Sequence, residues 1–204
     1  TAASIGPVAS SATPAREREH VDVVVLGAGG AGMRAAYEAA SAGLSVVVLE
    51  KARTFGGTSI KSGGVIQAAG TAAQVARGID DSPERFRDML ILAGEGWVDE
   101  ELVSDMCVHS AEHVAFLERM GVTFDGVFAM AHLPYGDPGL VVPRVHETPT
   151  GAWGIYSALH RAAMGVGARF VYSCEATSLL KGPDGAVRGV RTARSGHGGW
   201  REEE

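Results

Sequence analysis

An α/β fold built on a parallel, doubly wound sheet is predicted by three observations. A β-branched run, Val21 to Leu26, ends directly on glycines; an alanine-rich stretch, Ala31 to Ala42, follows them; and a second buried-type run, Ser45 to Leu49, comes next. Strand, glycine-rich turn, helix and strand within about 30 residues make the βαβ unit of such a sheet. The chain has 204 residues, 46% of them hydrophobic, and a net charge of -6. That is a globular composition. The absence of any basic run excludes a polyanion-binding face, so no nucleic acid partner is expected. No stretch approaches the ~18 consecutive apolar residues that a membrane-spanning helix needs.

Each element has its own local reason. Val21 to Leu26 is apolar at every position but Asp22, as a strand covered on both faces requires. Ala31 to Ala42 is a good helix former, and Gly43 supplies its stop. Thr54 to Gly70 is dense in Gly, Ser and Thr and is expected to be a loop. Ser82 and Pro83 suit an N-cap and first turn for a helix over Glu84 to Ala93, and Asp99 opens one long helical run through Met120 that Gly121 closes. Phe128 to His146, broken by Pro134, Gly136, Pro138, Gly139 and Pro143, is expected to be irregular. Gly154 to Met164 is helical in pattern, Arg169 to Ser173 and Ala176 to Leu180 suit strands, and Pro183-Asp184-Gly185 is a turn before Val187 to Thr192. Gly196 to Glu204 is expected to fray.

Gly27-Ala28-Gly29-Gly30-Ala31-Gly32 is a GxGxxG placed directly after a strand and before a helix. Gly27 allows the tight turn, Gly29 lets backbone approach a pyrophosphate, and Gly32 lets the helix pack close to the strand. Amides at the helix start then face the anion. Glu50, ending the second strand, stands where an acid accepts hydrogen bonds from an adenosine ribose, and it disfavours a phosphorylated ribose. This context makes the unit Rossmann-like. The residues by themselves leave NAD and FAD open.

The segment that follows separates them by resemblance. Glu50-Lys51, then Gly56-Gly57-Thr58-Ser59 and Ser62-Gly63-Gly64, resembles the FAD-binding segment of the fumarate reductase and succinate dehydrogenase flavoprotein superfamily, which includes the 3-ketosteroid dehydrogenases. The resemblance implies that Thr58, Ser59, Ser62, Gly63 and Gly64, with Gly57 and Lys51, return to the pyrophosphate and isoalloxazine. It also implies that Ala176 touches the adenine through backbone atoms. The covalent members attach FAD to a histidine of this loop, and residues 54–70 contain none, so dissociable FAD is implied. Arg144-Val145-His146 with Thr150-Gly151 resembles the Arg-x-His stretch near the substrate. It gives Arg144 as a carboxylate clamp and His146 as a hydrogen-bond donor, against the plainer readings of a surface arginine and a solvated histidine.

The expected organisation is a linker or export-signal remnant over 1–20, the first part of an FAD-binding domain with a helical insertion over 21–140, and over 141–204 a substrate-side loop with a return to that domain and the start of a capping region. Family members are more than twice as long, so a fragment is expected. An exported or periplasmic location follows from the small residues Ser10, Ala12, Thr13 and Ala15, and a cytoplasmic one if residues 1–15 are only a linker. The activity implied is hydride transfer between flavin N5 and a small unsaturated acid, with a separate electron donor. The alternatives are a 3-ketosteroid-dehydrogenase-like enzyme and a nucleotide-binding fragment without turnover of its own. Trp153 and Tyr156 suit helix packing or a pocket edge. His109-Ser110-Ala111-Glu112-His113 repeats a zinc-protease spacing without a further ligand, so no metal is expected. Cys107 and Cys174 fit small core positions.

Overall fold

The structure, a computed structural model, describes residues 19–130, 141–196 and 199–203. In chain order its elements are β1 (Val23–Leu26), α1 (Gly30–Ser41), β2 (Val46–Glu50), a single 3-10 turn at Ser59–Lys61, β3 (Val65–Gln67), α2 (Ala72–Val75), α3 (Pro83–Ala93), α4 (Glu100–Val108), α5 (Ser110–Arg119), β4 (Gly126–Phe128), β5 (Val145–Glu147), α6 (Gly151–Gly165), β6 (Arg169–Tyr172), β7 (Cys174–Lys181), β8 (Val187–Gly196) and β9 (Gly199–Glu203).

The βαβ unit forms as the pattern predicts. β1 runs parallel to β2 with Val23 opposite Val46, and β6 runs parallel along the other edge of β2 with Glu50 opposite Tyr172. The buried face of α1 carries Met33, Ala36 and Ala40, three and four residues apart, as a helix covering a sheet requires. Ala36 and Ala40 pack with Val46, Val48 and Ala163. Met33 packs with Phe116 and Leu117 of α5 and Ile155 and Leu159 of α6. The alanines keep α1 thin enough for sheet and helix to close around it. A third cluster, Ala69, Phe86, Met89 and Cys107, joins α3 to α4.

Two further sheets are antiparallel, in the orders β3-β5-β4 and β7-β8-β9. Several expectations are corrected here. Thr54 to Gly70 is not all loop, because Val65–Gln67 pairs with β5. The run from Asp99 to Met120 is two helices, not one. It breaks at His109 because the Ser110 hydroxyl donates to the Cys107 carbonyl, 2.8 Å, and accepts from the Ala69 amide, 3.1 Å. The stretch expected to be irregular contains β5, and Gly126–Phe128 pairs with it as β4. Pro134, Gly136, Pro138 and Gly139 lie outside the described residues, as do Ser10, Ala12, Thr13 and Ala15. α6 begins at Gly151, ahead of Gly154, and β9 pairs with β8 where fraying was expected. No helix among the described residues is long and apolar enough to cross a membrane.

Candidate functional site: a glycine-lined anion cradle

Gly27 has φ +97° and its amide donates to the Leu49 carbonyl, 2.8 Å, so the turn leaves β1 against the end of β2. A Cβ on Gly32 would stand 2.0 Å from the Gly27 carbonyl oxygen. No side chain fits there, which is why the helix can start so close to the strand. At Gly29 the opposite holds, since a Cβ would meet only the Ser59 hydroxyl at 3.9 Å. The first turn of α1 carries no acidic residue and no side-chain cap. Among the described residues the amides of Gly29, Ala31 and Gly32 find no acceptor, and the Gly30 amide lies 3.3 Å from the Ser59 hydroxyl. Unpaired amides at the positive end of a 12-residue helix favour an anion. Gly30 has a second reason to lack a side chain: its Cβ would meet the Tyr156 ring at 2.9 Å.

Glu50 is buried, and both its oxygens are in use. One accepts from the Ala28 amide at 2.8 Å and the other from the Ala52 amide at 2.7 Å. The sequence expectation gave Glu50 only a ribose to bind. Its first structural task is to hold the glycine turn against the loop after β2. Lone pairs remain on each carboxylate oxygen for a further donor.

That loop comes back to the cradle. The Gly56 amide donates to the Ala28 carbonyl, 2.7 Å, and a Cβ on Gly57 would lie 3.8 Å from the Gly29 Cα. Thr58 is the N-cap position of the turn that carries Ser59, and the Ser62 hydroxyl donates to the Ser59 carbonyl, 2.9 Å. Gly57, Thr58, Ser62 and Gly63 are exposed beside the cradle, as is Lys51. Gly64 is buried with φ +77°, and a Cβ there would collide with Gly151 and with the Ala152 amide at 2.0 Å. The start of α6 therefore buttresses the Gly63-Gly64 turn. The residues from both segments thus fit the pyrophosphate of a dinucleotide. Ala176 sits in β7, opposite Thr192, close after Ser173, whose amide donates to the Ala52 carbonyl, 2.8 Å.

Arg144 and His146 do not line this cradle. The Arg144 guanidinium grips Asp81 with Nε on one carboxylate oxygen, 2.8 Å, and Nη2 on the other, 2.6 Å, and both side chains are buried. The His146 ring is 0% exposed, its Nδ1 2.8 Å from the Arg144 carbonyl and its Nε2 2.8 Å from the Thr71 hydroxyl. The carboxylate-clamp expectation for Arg144 is corrected because Asp81 fills the fork. The substrate-donor expectation for His146 is corrected because both ring nitrogens are used inside the protein. Burial holds the His146 imidazole below the usual histidine range. The sequence did hold a signal for this network, the Thr71-x-x-Gln74 capping-box spacing; both reciprocal bonds of that box are present.

Trp153 is mostly exposed and lies 5.5 Å from Phe55, while Tyr156 packs among the core residues around Met33. His109 contacts Asp105 and Glu112, and among the described residues no group of three or more His, Cys, Asp or Glu could hold a metal ion. Cys107 and Cys174 are buried free thiols.

Residues 22–203 match the family described as FAD binding domain. The chain belongs to that family. Its cofactor is FAD, held without a covalent bond. The chain is 32% identical over 174 residues to the fumarate reductase (cytochrome) of Shewanella frigidimarina, a match covering 83% of this chain and 29% of that protein. It is 33% identical over 183 residues to the urocanate reductase of Eggerthella lenta, covering 87% of this chain and 29% of that protein. The crystal structure of 3-ketosteroid-delta4-(5alpha)-dehydrogenase from Rhodococcus jostii RHA1 superposes with a TM-score of 0.81 at 30% identity, over 95% of this chain and 45% of that one. The chain thus spans under one third of the length of these two reductases.

Proposed function

We propose that this chain is the cofactor-binding part of an FAD-dependent reductase acting on a small unsaturated acid. The observation that carries the reading is the identity with two enzymes named for such acids, fumarate and urocanate, across more than four fifths of this chain.

Bound FAD supplies hydride transfer at its N5 to a carbon of the activated double bond, a proton completing the reduction. The chain's residues bind and orient. The amides of Gly29, Ala31 and Gly32 hold the pyrophosphate, Ser59 links the two segments that flank it, and Glu50 keeps the turn closed while its remaining lone pairs accept from the ribose. Gly63 and Gly64, backed by α6, would present backbone to the ring system, and Ala176 would meet the adenine. The cationic groups that bind substrate carboxylates come from outside the Arg144 and His146 network, because that network is satisfied internally. A separate donor supplies the electrons.

A second reading is favoured by the superposition on a ketosteroid dehydrogenase. Anaerobic mixing separates the two. Rapid reoxidation of the reduced flavoprotein by fumarate or another small enoate supports the reductase reading, and bleaching of the oxidised flavoprotein by a 3-ketosteroid replaces it with the dehydrogenase.

A further inference from the structure

We propose that His146 is a positioning residue of the flavin site, acting through a buried network with Thr71, Arg144 and Asp81 rather than by touching substrate. This rests on the FAD reading and goes beyond it, because it assigns a role to residues far from the cradle's own bonds.

The network closes on itself. The Arg144 carbonyl oxygen can only accept, so the His146 Nδ1 carries the proton and Nε2 accepts from the Thr71 hydroxyl. Thr71 Oγ1 in turn accepts from the Gln74 amide, 3.2 Å, and the Gln74 side chain donates to Asp81, 3.1 Å, and to the Pro143 carbonyl, 2.7 Å. Asp81 completes the circuit by accepting from Arg144. The residues 71–81 and 143–146 are thereby fastened together in the interior.

What they fasten is β5, and β5 sets the flavin-side turn twice over. Through its pairing with β3, His146 lies opposite Ile66, two residues beyond Gly64. Through the chain itself, β5 leads within four residues to Gly151, the residue on which Gly64 rests. The contact at Gly64 leaves no room for a Cβ, so a small shift of β5 is transmitted to the turn rather than absorbed.

Only the neutral imidazole fits this circuit. A second proton would sit on Nε2 and turn it from acceptor to donor, leaving the buried Thr71 O–H without the nitrogen it donates to. The charged groups around the ring are Arg144 just before β5, Asp81 before α3, Arg77 beyond α2 and Glu118 on α5; Phe124 covers it edge-on, 6.0 Å between centroids. Acidification is therefore expected to loosen β5 and, with it, the cofactor.

The test is FAD titration of the apo polypeptide, followed by flavin fluorescence, for the wild type, H146Q, T71S and T71V. Glutamine keeps one donor and one acceptor but takes no proton. The wild type is expected to lose FAD affinity measurably between about pH 8 and about pH 5.5, with H146Q showing no such loss. T71V is expected to bind FAD at least about tenfold more weakly than T71S, which keeps the hydroxyl and so serves if H146Q does not fold. Identical pH profiles for wild type and H146Q, or equal affinities for T71V and T71S, overturn the proposal. Failure of the wild type to take up FAD at either pH would instead overturn the cofactor reading on which it stands.

Discussion

The carboxylate of Glu50 accepts a hydrogen bond from the amide of Ala28, 22 residues earlier and inside the glycine turn, at 2.8 Å. The end of one strand thereby holds the turn that leaves its neighbour. The acid that the dinucleotide pattern assigns to the ribose is also what keeps the pyrophosphate loop in place.

Replacing Glu50 by Ala leaves the buried Ala28 amide without its acceptor. The loss expected is about 1–3 kcal/mol of stability, together with weaker FAD binding. Urea denaturation of the apo chain reads the first and flavin titration the second; unchanged stability would mean that the Ala28 bond contributes little.

Gly29 and Gly32 are expected to part company on substitution. Gly32→Ala puts a methyl 2.0 Å from the Gly27 carbonyl and should cost more than about 3 kcal/mol. Gly29→Ala meets nothing closer than 3.9 Å in an extended backbone conformation that alanine adopts, so apo stability should change by no more than about 0.5 kcal/mol. FAD affinity should nonetheless fall by about tenfold or more, because the methyl intrudes where the phosphate approaches. Comparing thermal midpoints without FAD against dissociation constants checks both halves.

The Arg144 and Asp81 side chains are 2% and 0% exposed, so losing the carboxylate takes the counter-charge away from a buried guanidinium. Asp81→Asn is expected to cost about 3–5 kcal/mol. The double variant R144M/D81M should lose less than D81N alone, since it buries no lone charge. If D81N denatures at the wild-type urea concentration, the pair is not holding the insertion.

Stability should fall on acidification through the histidine range. Burial lowers the folded-state values of His146 and of His160, so the unfolded chain takes up protons first. Their contribution is fully present above the unfolded value of about 6.5 and is lost as pH falls toward the folded ones. Urea midpoints at about pH 7.5 and about pH 5.5 should differ in that direction, and H146Q should narrow the difference; a flat profile in the wild type would contradict it.

Much of the cradle was legible in the residues because its determinants are local. A β-branched run, a glycine turn and an alanine-rich helix each follow from short-range sterics and spacing. The loop around Gly56 to Gly64 was recognised by resemblance, but that its amide would bind Ala28 was not, since only the folded chain brings them together. The long helix expected from Asp99 failed for the same kind of reason. Ser110 breaks it by bonding to Cys107 and to Ala69, and Ala69 is 41 residues away.

By itself the sequence determined the βαβ unit, the anion-facing helix start and, through the family pattern, FAD. The tertiary structure decided what Arg144 and His146 do. A guanidinium and an imidazole look the same in a sequence whether they face a substrate or the interior. Here Asp81, 63 residues before Arg144, supplies the counter-charge, and Thr71, 75 residues before His146, supplies the hydroxyl. A buried charge takes whichever partner the fold brings within reach, and that is set by packing rather than by neighbours along the chain.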